Sequence, residues 1–171
     1  MKRFVLPLGL LVALPVTAQT AIEGEEVFPE RNIAENIVTV ETLSRFVEGA
    51  TATGLIEELR AEGPVTLIAP KDDAFPPLEE DAPSAAEILT EDGAEAFTDL
   101  IGCHIIPMQL ATADFSSVGE STVETLGSCE LTMRGGQLFG PDGAEISLIE
   151  TDIAQENGVL HLTDDLIEPV E

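Results

Sequence analysis

Two apolar segments about ninety residues apart constrain the fold of this chain more than any other feature. The first runs from Gly63 to Phe75 and reads GPVTLIAPKDDAF, and the second runs from Asn157 to Pro169 and reads NGVLHLTDDLIEP. Both begin as runs that are apolar on both faces, which is typical of strands covered on both sides. Pro70 has no N–H to donate, so it should end the first strand. Asp72 then follows as the expected N-cap of a helix.

The N-terminus has the pattern of a secretory signal peptide. Lys2 and Arg3 precede an apolar stretch from Phe4 to Val16 that is too short to span a bilayer comfortably. Small residues then predict cleavage after Ala18, and an uncleaved membrane anchor is the alternative. We therefore expect residues 1–18 to be a signal peptide and the mature protein to be secreted or periplasmic, with no membrane span after cleavage.

The remainder of the chain has the length of one domain. Residues 19–35 are acidic and contain Pro29, so they are expected to form a flexible leader. Residues 36–171 are expected to form a single domain.

The formal charge of −26 becomes −28 when Lys2 and Arg3 leave with the predicted signal peptide. So acidic a surface repels phosphate backbones, which excludes nucleic acid as a partner. Solubility in a salty medium is the simplest explanation of the charge. Recruitment of a basic partner, or weak binding of divalent cations such as calcium, is the alternative.

The order of the periodic segments predicts an α+β fold, with helices first and a largely antiparallel sheet arrangement after them. Helical stripes are predicted at residues 36–47, 54–62, 84–89 and 91–101. Strands are predicted at residues 121–126, 129–134, 137–139, 144–150 and 158–162, in addition to the strand of the first segment.

Three motifs together resemble the fasciclin-like (FAS1) domain. The first segment is similar to the family's T-x-F-A-P-T-x-x-A-F box, and the second to its N-G-x-x-H-x-x-D-x-x-L-x-P box. Cys103-His104-Ile105-Ile106-Pro107 matches a third element, in which the family usually has Tyr where this chain has Cys103. The resemblance covers residues 36–169 and implies N-terminal helices packed on a mostly antiparallel β-sheet wedge. The motif residues implied to be structural are Pro70, Phe75, Asn157, Gly158, His161 and Pro169.

The same resemblance implies an extracytoplasmic interaction module that acts in cell adhesion, surface attachment or protein contact in the envelope. The residues it implies for binding are Asp72, His104, Ile105 and Ile106. A protein or cell-surface partner is expected, and the acidic charge suits a basic one. The alternative function is a carrier or accessory protein that binds a small apolar ligand in the envelope.

Few residues suit catalysis or metal binding. His104 and His161 are both flanked by apolar residues, so buried histidines held by a backbone carbonyl or a carboxylate are favoured over a metal pair or a base. No nucleophile motif, nucleotide fingerprint or metal-ligand spacing is present. We therefore predict no catalytic residue, no metal and no cofactor. Cys103 and Cys129 are expected to form a disulfide in an oxidising compartment, the alternative being two buried thiols.

Overall fold

The computed structural model describes residues 20–22, 24–76, 94–117 and 119–170. The predicted signal peptide and the predicted helix at 84–89 lie outside these ranges. The strands are β1 (Thr20–Ile22), β2 (Glu25–Val27), β3 (Val65–Pro70), β4 (Ile105–Ile106), β5 (Ser121–Glu124), β6 (Glu130–Arg134), β7 (Gln137–Phe139), β8 (Leu148–Gln155) and β9 (Gly158–Thr163). The helices are α1 (Ile33–Ile37), α2 (Ser44–Ala52), α3 (Ile56–Arg60), α4 (Ala94–Gly102) and α5 (Thr112–Ser117), with 3-10 turns at Glu41–Leu43 and Asp72–Ala74.

The two segments that dominate the sequence lie side by side at the centre of a four-stranded sheet ordered β4-β3-β9-β8. Strands β3 and β9 pair in parallel, from Val65 opposite Gly158 to Pro70 opposite Thr163. Every residue of both strands is buried. This confirms two covered strands, the first ending at Pro70, because a parallel pair needs layers on both faces. The outer pairings, β3 with β4 and β8 with β9, are antiparallel.

A second sheet, ordered β5-β6-β7, is antiparallel throughout. The predicted strand at 144–150 is displaced, since β8 begins only at Leu148 and Glu145 makes a single bridge to Phe139. Helices α1 to α3 precede β3, and α4 and α5 lie between β3 and β5, so the chain combines helices with largely antiparallel sheets and the predicted α+β class is confirmed. The parallel central pair is the departure from a purely antiparallel arrangement.

Two hydrophobic cores lie on opposite sides of the mixed sheet. Strand β3 contributes to both because its side chains alternate, Leu67 belonging to the first core and Ile68 to the second. Helices α1 to α3 cover the first core through Ile37, Phe46 and Leu59. The antiparallel sheet and α5 cover the second. The α4–β4 corner therefore lies where the two cores meet.

The described residues of the expected leader at 19–35 pack against the rest of the structure. Strands β1 and β2 form an antiparallel hairpin whose Ile22 and Val27 are buried in the first core. Helix α1 starts before residue 36 because Asn32 and Glu35 form a capping box, each side chain accepting from the other's backbone N–H. Ile33 and Ala34 of α1 are buried in the same core, so four apolar side chains attach this acidic stretch to it.

Candidate functional site

Asp72 lies in the turn after β3 and stabilises a different helix from the one predicted. The turn that follows it, Asp72–Ala74, is a 3-10 turn with Lys71 at its N-cap position. The Asp72 carboxylate accepts from the backbone N–H of Arg45 at 2.8 Å and from the Ser44 hydroxyl at 2.6 Å. It therefore caps the start of α2, where the local N-cap residue offers no side-chain bond. The prediction that Asp72 caps its own following helix is wrong.

Arg45 completes this connection from the other side. Its guanidinium donates to the carbonyl oxygens of Asp72 at 3.3 Å and Pro76 at 2.9 Å, and it lies 5.0 Å from the centre of the Phe75 ring. The motif residue Phe75 is half-buried against the first core. The turn after β3 is therefore held on α2 by a carboxylate cap, two guanidinium bonds and a cation–π contact.

Replacing Asp72 by Ala is expected to lower the free energy of unfolding by about 1–2 kcal/mol, because the helix N-terminus loses its carboxylate partner. Urea unfolding measures the change. Asp73→Ala is the matched control, since Asp73 is exposed and adjacent, and it should change the stability by less than about 0.5 kcal/mol. Equal losses in the two variants would contradict the capping role.

His104 is fully buried at the α4–β4 corner, where both ring nitrogens are occupied. Nε2 accepts from the backbone N–H of Ile167 at 3.0 Å, so Nδ1 carries the proton and donates to the Leu100 carbonyl at 2.9 Å. The Phe46 ring lies edge-on at 5.9 Å. Burial lowers the pKa of His104 to about 4, opposed in part by the bond to Leu100. His104 is thus a neutral connector between α4 and the C-terminal segment.

His161 in β9 is also bonded to backbone groups through both ring nitrogens, with the donor and acceptor nitrogens exchanged relative to His104. Its Nδ1 accepts from the backbone N–H of Asp152 at 3.2 Å, and its Nε2 donates to the Leu110 carbonyl at 2.9 Å. Burial lowers the pKa of His161, against the bond to Leu110 and the charge of Asp152. These contacts confirm the prediction of two buried, held histidines, and of the two predicted kinds of partner each ring uses a backbone carbonyl. Neither ring keeps a nitrogen for a substrate.

Asp152 connects this region to a helix that the sequence did not reveal. Its carboxylate accepts from the Thr112 backbone N–H at 2.8 Å and from the Thr112 hydroxyl, which caps α5. Burial alone would raise the pKa of Asp152, but the bonds from Thr112 and the charge of His161 outweigh it, so the pKa lies below its ordinary value. Helix α5 was missed because its cap comes from a residue forty positions away.

Ile105 and Ile106 are also core residues. Ile105 points into the first core and Ile106 into the second, as expected for successive positions of a strand. Three of the four predicted binding residues are therefore buried, and only Asp72 reaches the surface. The exposed residues of this region are Pro107, Met108 and Gln109, which follow β4 directly.

The stability of the protein is expected to decrease as the pH is lowered, because of His104. Its folded pKa of about 4 lies below the ordinary value of 6.5, so the neutral ring stabilises the fold above pH 6.5 and this contribution is lost as pH falls toward 4. The advantage of the wild type over His104→Gln should shrink by about 3 kcal/mol between pH 7 and pH 4 in urea unfolding. Both proteins share every carboxylate, so a difference that stays constant with pH would contradict the assignment.

Asn157 and Gly158 join four parts of the fold. The Asn157 side chain donates to the carbonyls of Leu59 at 2.9 Å and Ala61 at 2.7 Å, and accepts from the Ile33 N–H at 3.0 Å. A Cβ on Gly158 would lie 1.7 Å from the Val65 carbonyl oxygen. The Asn-Gly pair is therefore demanded by hydrogen bonding and close backbone approach. Of the other motif residues, Pro70 and His161 are buried and Pro169 is exposed.

Cys103 and Cys129 form a disulfide, with Cα atoms 5.2 Å apart, which confirms the predicted bond. It joins the α4–β4 corner to the loop before β6. Gly127 allows the approach, since a Cβ there would lie 2.0 Å from the Asp99 carbonyl oxygen. The same loop is held by a bond from the Leu126 N–H to the Ile105 carbonyl at 2.9 Å.

The comparisons with known proteins agree with this arrangement. The family model described as "Fasciclin domain" matches residues 41–169. The chain belongs to the fasciclin domain family. As a fasciclin domain, it is 28% identical to protein sll1483 of Synechocystis over 94% of this chain and 91% of that protein. It is 29% identical to transforming growth factor-beta-induced protein ig-h3 of Sus scrofa, over 81% of this chain but only 19% of that protein.

The fold has a solved counterpart. The structure of a FAS1 domain pair from the insect cell adhesion molecule fasciclin I matches with a TM-score of 0.58 and 14% identity, covering 91% of this chain and 59% of that one. At this identity the match shows the fold alone. In the part of the fasciclin domain that the structure describes, no helix combines the length and the apolarity needed to cross a membrane.

Proposed function

We propose that this fasciclin domain is a non-enzymatic, extracytoplasmic interaction module that attaches an envelope or cell surface to a basic protein partner. The observation that carries the proposal is the surface charge, because the four described arginines are each engaged locally. Arg31 and Arg134 lie 4.4 and 4.3 Å from the rings of Phe28 and Phe139, and Arg60 pairs with Glu57 at 2.7 Å. The remaining surface is strongly acidic, which favours a cationic partner.

Two further features support this role. The predicted signal peptide and the disulfide both suit an oxidising, exported location. The fold is shared with domains of a protein described as a cell adhesion molecule. A catalytic role gains no support from the histidines, whose nitrogens are all used in backbone bonds.

The proposal is tested by capture from an envelope extract of the protein's own source, with the tagged full chain as bait. We expect a protein partner in stoichiometric amount, released as salt is raised because charge attraction is screened. Gly158→Val is the matched control: it keeps the net charge, but its side chain would collide with the Val65 carbonyl and disrupt the fold. If no partner is retained, or if this variant retains the partner equally well, the proposal fails.

A further inference from the structure

A groove opens between the loop at residues 140–146 and the C-terminal segment at 165–170. We call it the C-terminal groove. Its volume is about 300 Å³, and a second depression of about 270 Å³ adjoins it. The two share Gly140, Pro141, Pro169 and Val170 as lining residues, so together they form an elongated trough beside the end of the chain.

Both walls of the C-terminal groove are held in place by hydrogen bonds. In the loop, Asp142 accepts from the Ala144 N–H at 2.9 Å, and the Ile146 N–H donates to the Leu138 carbonyl at 2.8 Å. The C-terminal segment is tied to the loop by Asp165, which accepts from the Ser147 N–H at 2.7 Å, and to the core by the Ile167 bond to His104. A preformed groove loses less entropy when it binds a partner.

The lining combines apolar and acidic groups. Ile146 and Ile167 are buried at its base, and Val170 is 60% exposed. The acidic residues of the two depressions are Asp142, Glu145, Asp165, Glu168 and Glu130. Among the described residues that line them, none is Lys, Arg or His. The complement of this surface is a segment with both cationic and apolar side chains.

A bound metal ion is a poorer occupant. Over the described ranges, no three His, Cys, Asp or Glu side chains lie close enough together to hold an ion. The carboxylates are spread along a trough, which suits an extended chain rather than a point charge.

We propose that the C-terminal groove binds an extended segment of the partner protein in which Lys or Arg side chains alternate with apolar ones. Alternate side chains of an extended segment face opposite sides, so the apolar ones lie on the base. The long cationic side chains reach the carboxylates of the walls while their stems cover apolar surface. This inference rests on the interaction role proposed above and assigns it a location and a partner chemistry.

The test measures binding of a six-residue, end-blocked peptide of alternating Lys and Val to the oxidised full chain by calorimetry. Glu145→Lys with Glu168→Lys should weaken binding by roughly tenfold or more, since two attractions become repulsions at the groove. Glu48→Lys with Glu58→Lys is the matched control, with the same net charge but exposed positions on α2 and α3. It should weaken binding by no more than about threefold.

Three results would contradict the proposed binding at the C-terminal groove. The first is equal weakening by the two variant pairs, which would show that net charge determines binding. The second is equal binding of a peptide of alternating Lys and Ser, which would show that the apolar base does not contribute. The third is no binding of the Lys and Val peptide. If the Glu-to-Lys pair fails to fold, Glu145→Gln with Glu168→Gln is measured in its place and should also weaken binding. It should do so more than Glu48→Gln with Glu58→Gln.

The capture experiment separates this inference from the proposed function. A partner retained equally by the wild type and by Glu145→Lys with Glu168→Lys would support the interaction role but contradict binding at the C-terminal groove. The absence of any captured partner would remove the interaction role itself.

Discussion

Replacing Asn157 by Ala is expected to lower the free energy of unfolding by about 4 kcal/mol, because three buried or part-buried backbone groups lose their partner at once. The Ile33 N–H and the carbonyls of Leu59 and Ala61 come from α1 and the end of α3. Their loss separates both helices from the turn between β8 and β9. Each backbone group left without a bond contributes somewhat more than about 1 kcal/mol to this loss.

Urea unfolding of Asn157→Ala and of Asn32→Ala measures this effect. Asn32 is the matched control because it is the same residue type, but it caps α1 near the surface and makes one local bond through its side chain. Its replacement should cost about 1 kcal/mol. A loss below about 1.5 kcal/mol for Asn157→Ala, or equal losses for the two variants, would contradict the role of Asn157 in joining α1 and α3 to the turn between β8 and β9.

Removing the disulfide is expected to destabilise the protein by about 3.5 kcal/mol, because the bond closes a loop with a sequence separation of 26 residues in the unfolded chain. Cys103→Ala with Cys129→Ala is preferred to serine, since both side chains are buried and a hydroxyl would need a partner.

The comparison is urea unfolding of the wild type with and without dithiothreitol, alongside the double variant. The reductant should lower the stability of the wild type to near that of the variant and leave the variant unchanged. A wild type that loses less than about 1 kcal/mol on complete reduction would contradict the account of the loop.

Local sequence patterns predicted the buried strands, but they could not predict which distant segments pair with each other. The run from Val65 to Pro70 is apolar enough to indicate a covered strand by itself. Nothing in it indicates that β9 would be its parallel neighbour, since that pairing depends on the whole path of the chain. The hairpin at residues 20–27 was missed for a related reason: its buried side chains, Ile22 and Val27, stand alone among acidic residues.

The candidate site shows the same division. The disulfide and the backbone-bound histidines could be predicted from composition and flanking residues. The capping of α2 by Asp72 and of α5 by Asp152 could not be predicted, because the bonded residues are separated by 27 and 40 positions, respectively. Binding roles taken from motif resemblance fell on His104, Ile105 and Ile106, which the structure places in the core. A motif can therefore mark the residues that build a fold rather than those that meet a partner.

Native mass spectrometry of the full chain captured from its own envelope shows directly whether the protein binds a basic protein partner. We expect a stoichiometric complex with a second protein that dissociates as salt is raised before ionisation. A solitary chain would contradict this expectation. So would a solitary chain that carries only a small molecule of a few hundred daltons, on the order expected for a pocket-sized ligand, which would favour an envelope carrier instead.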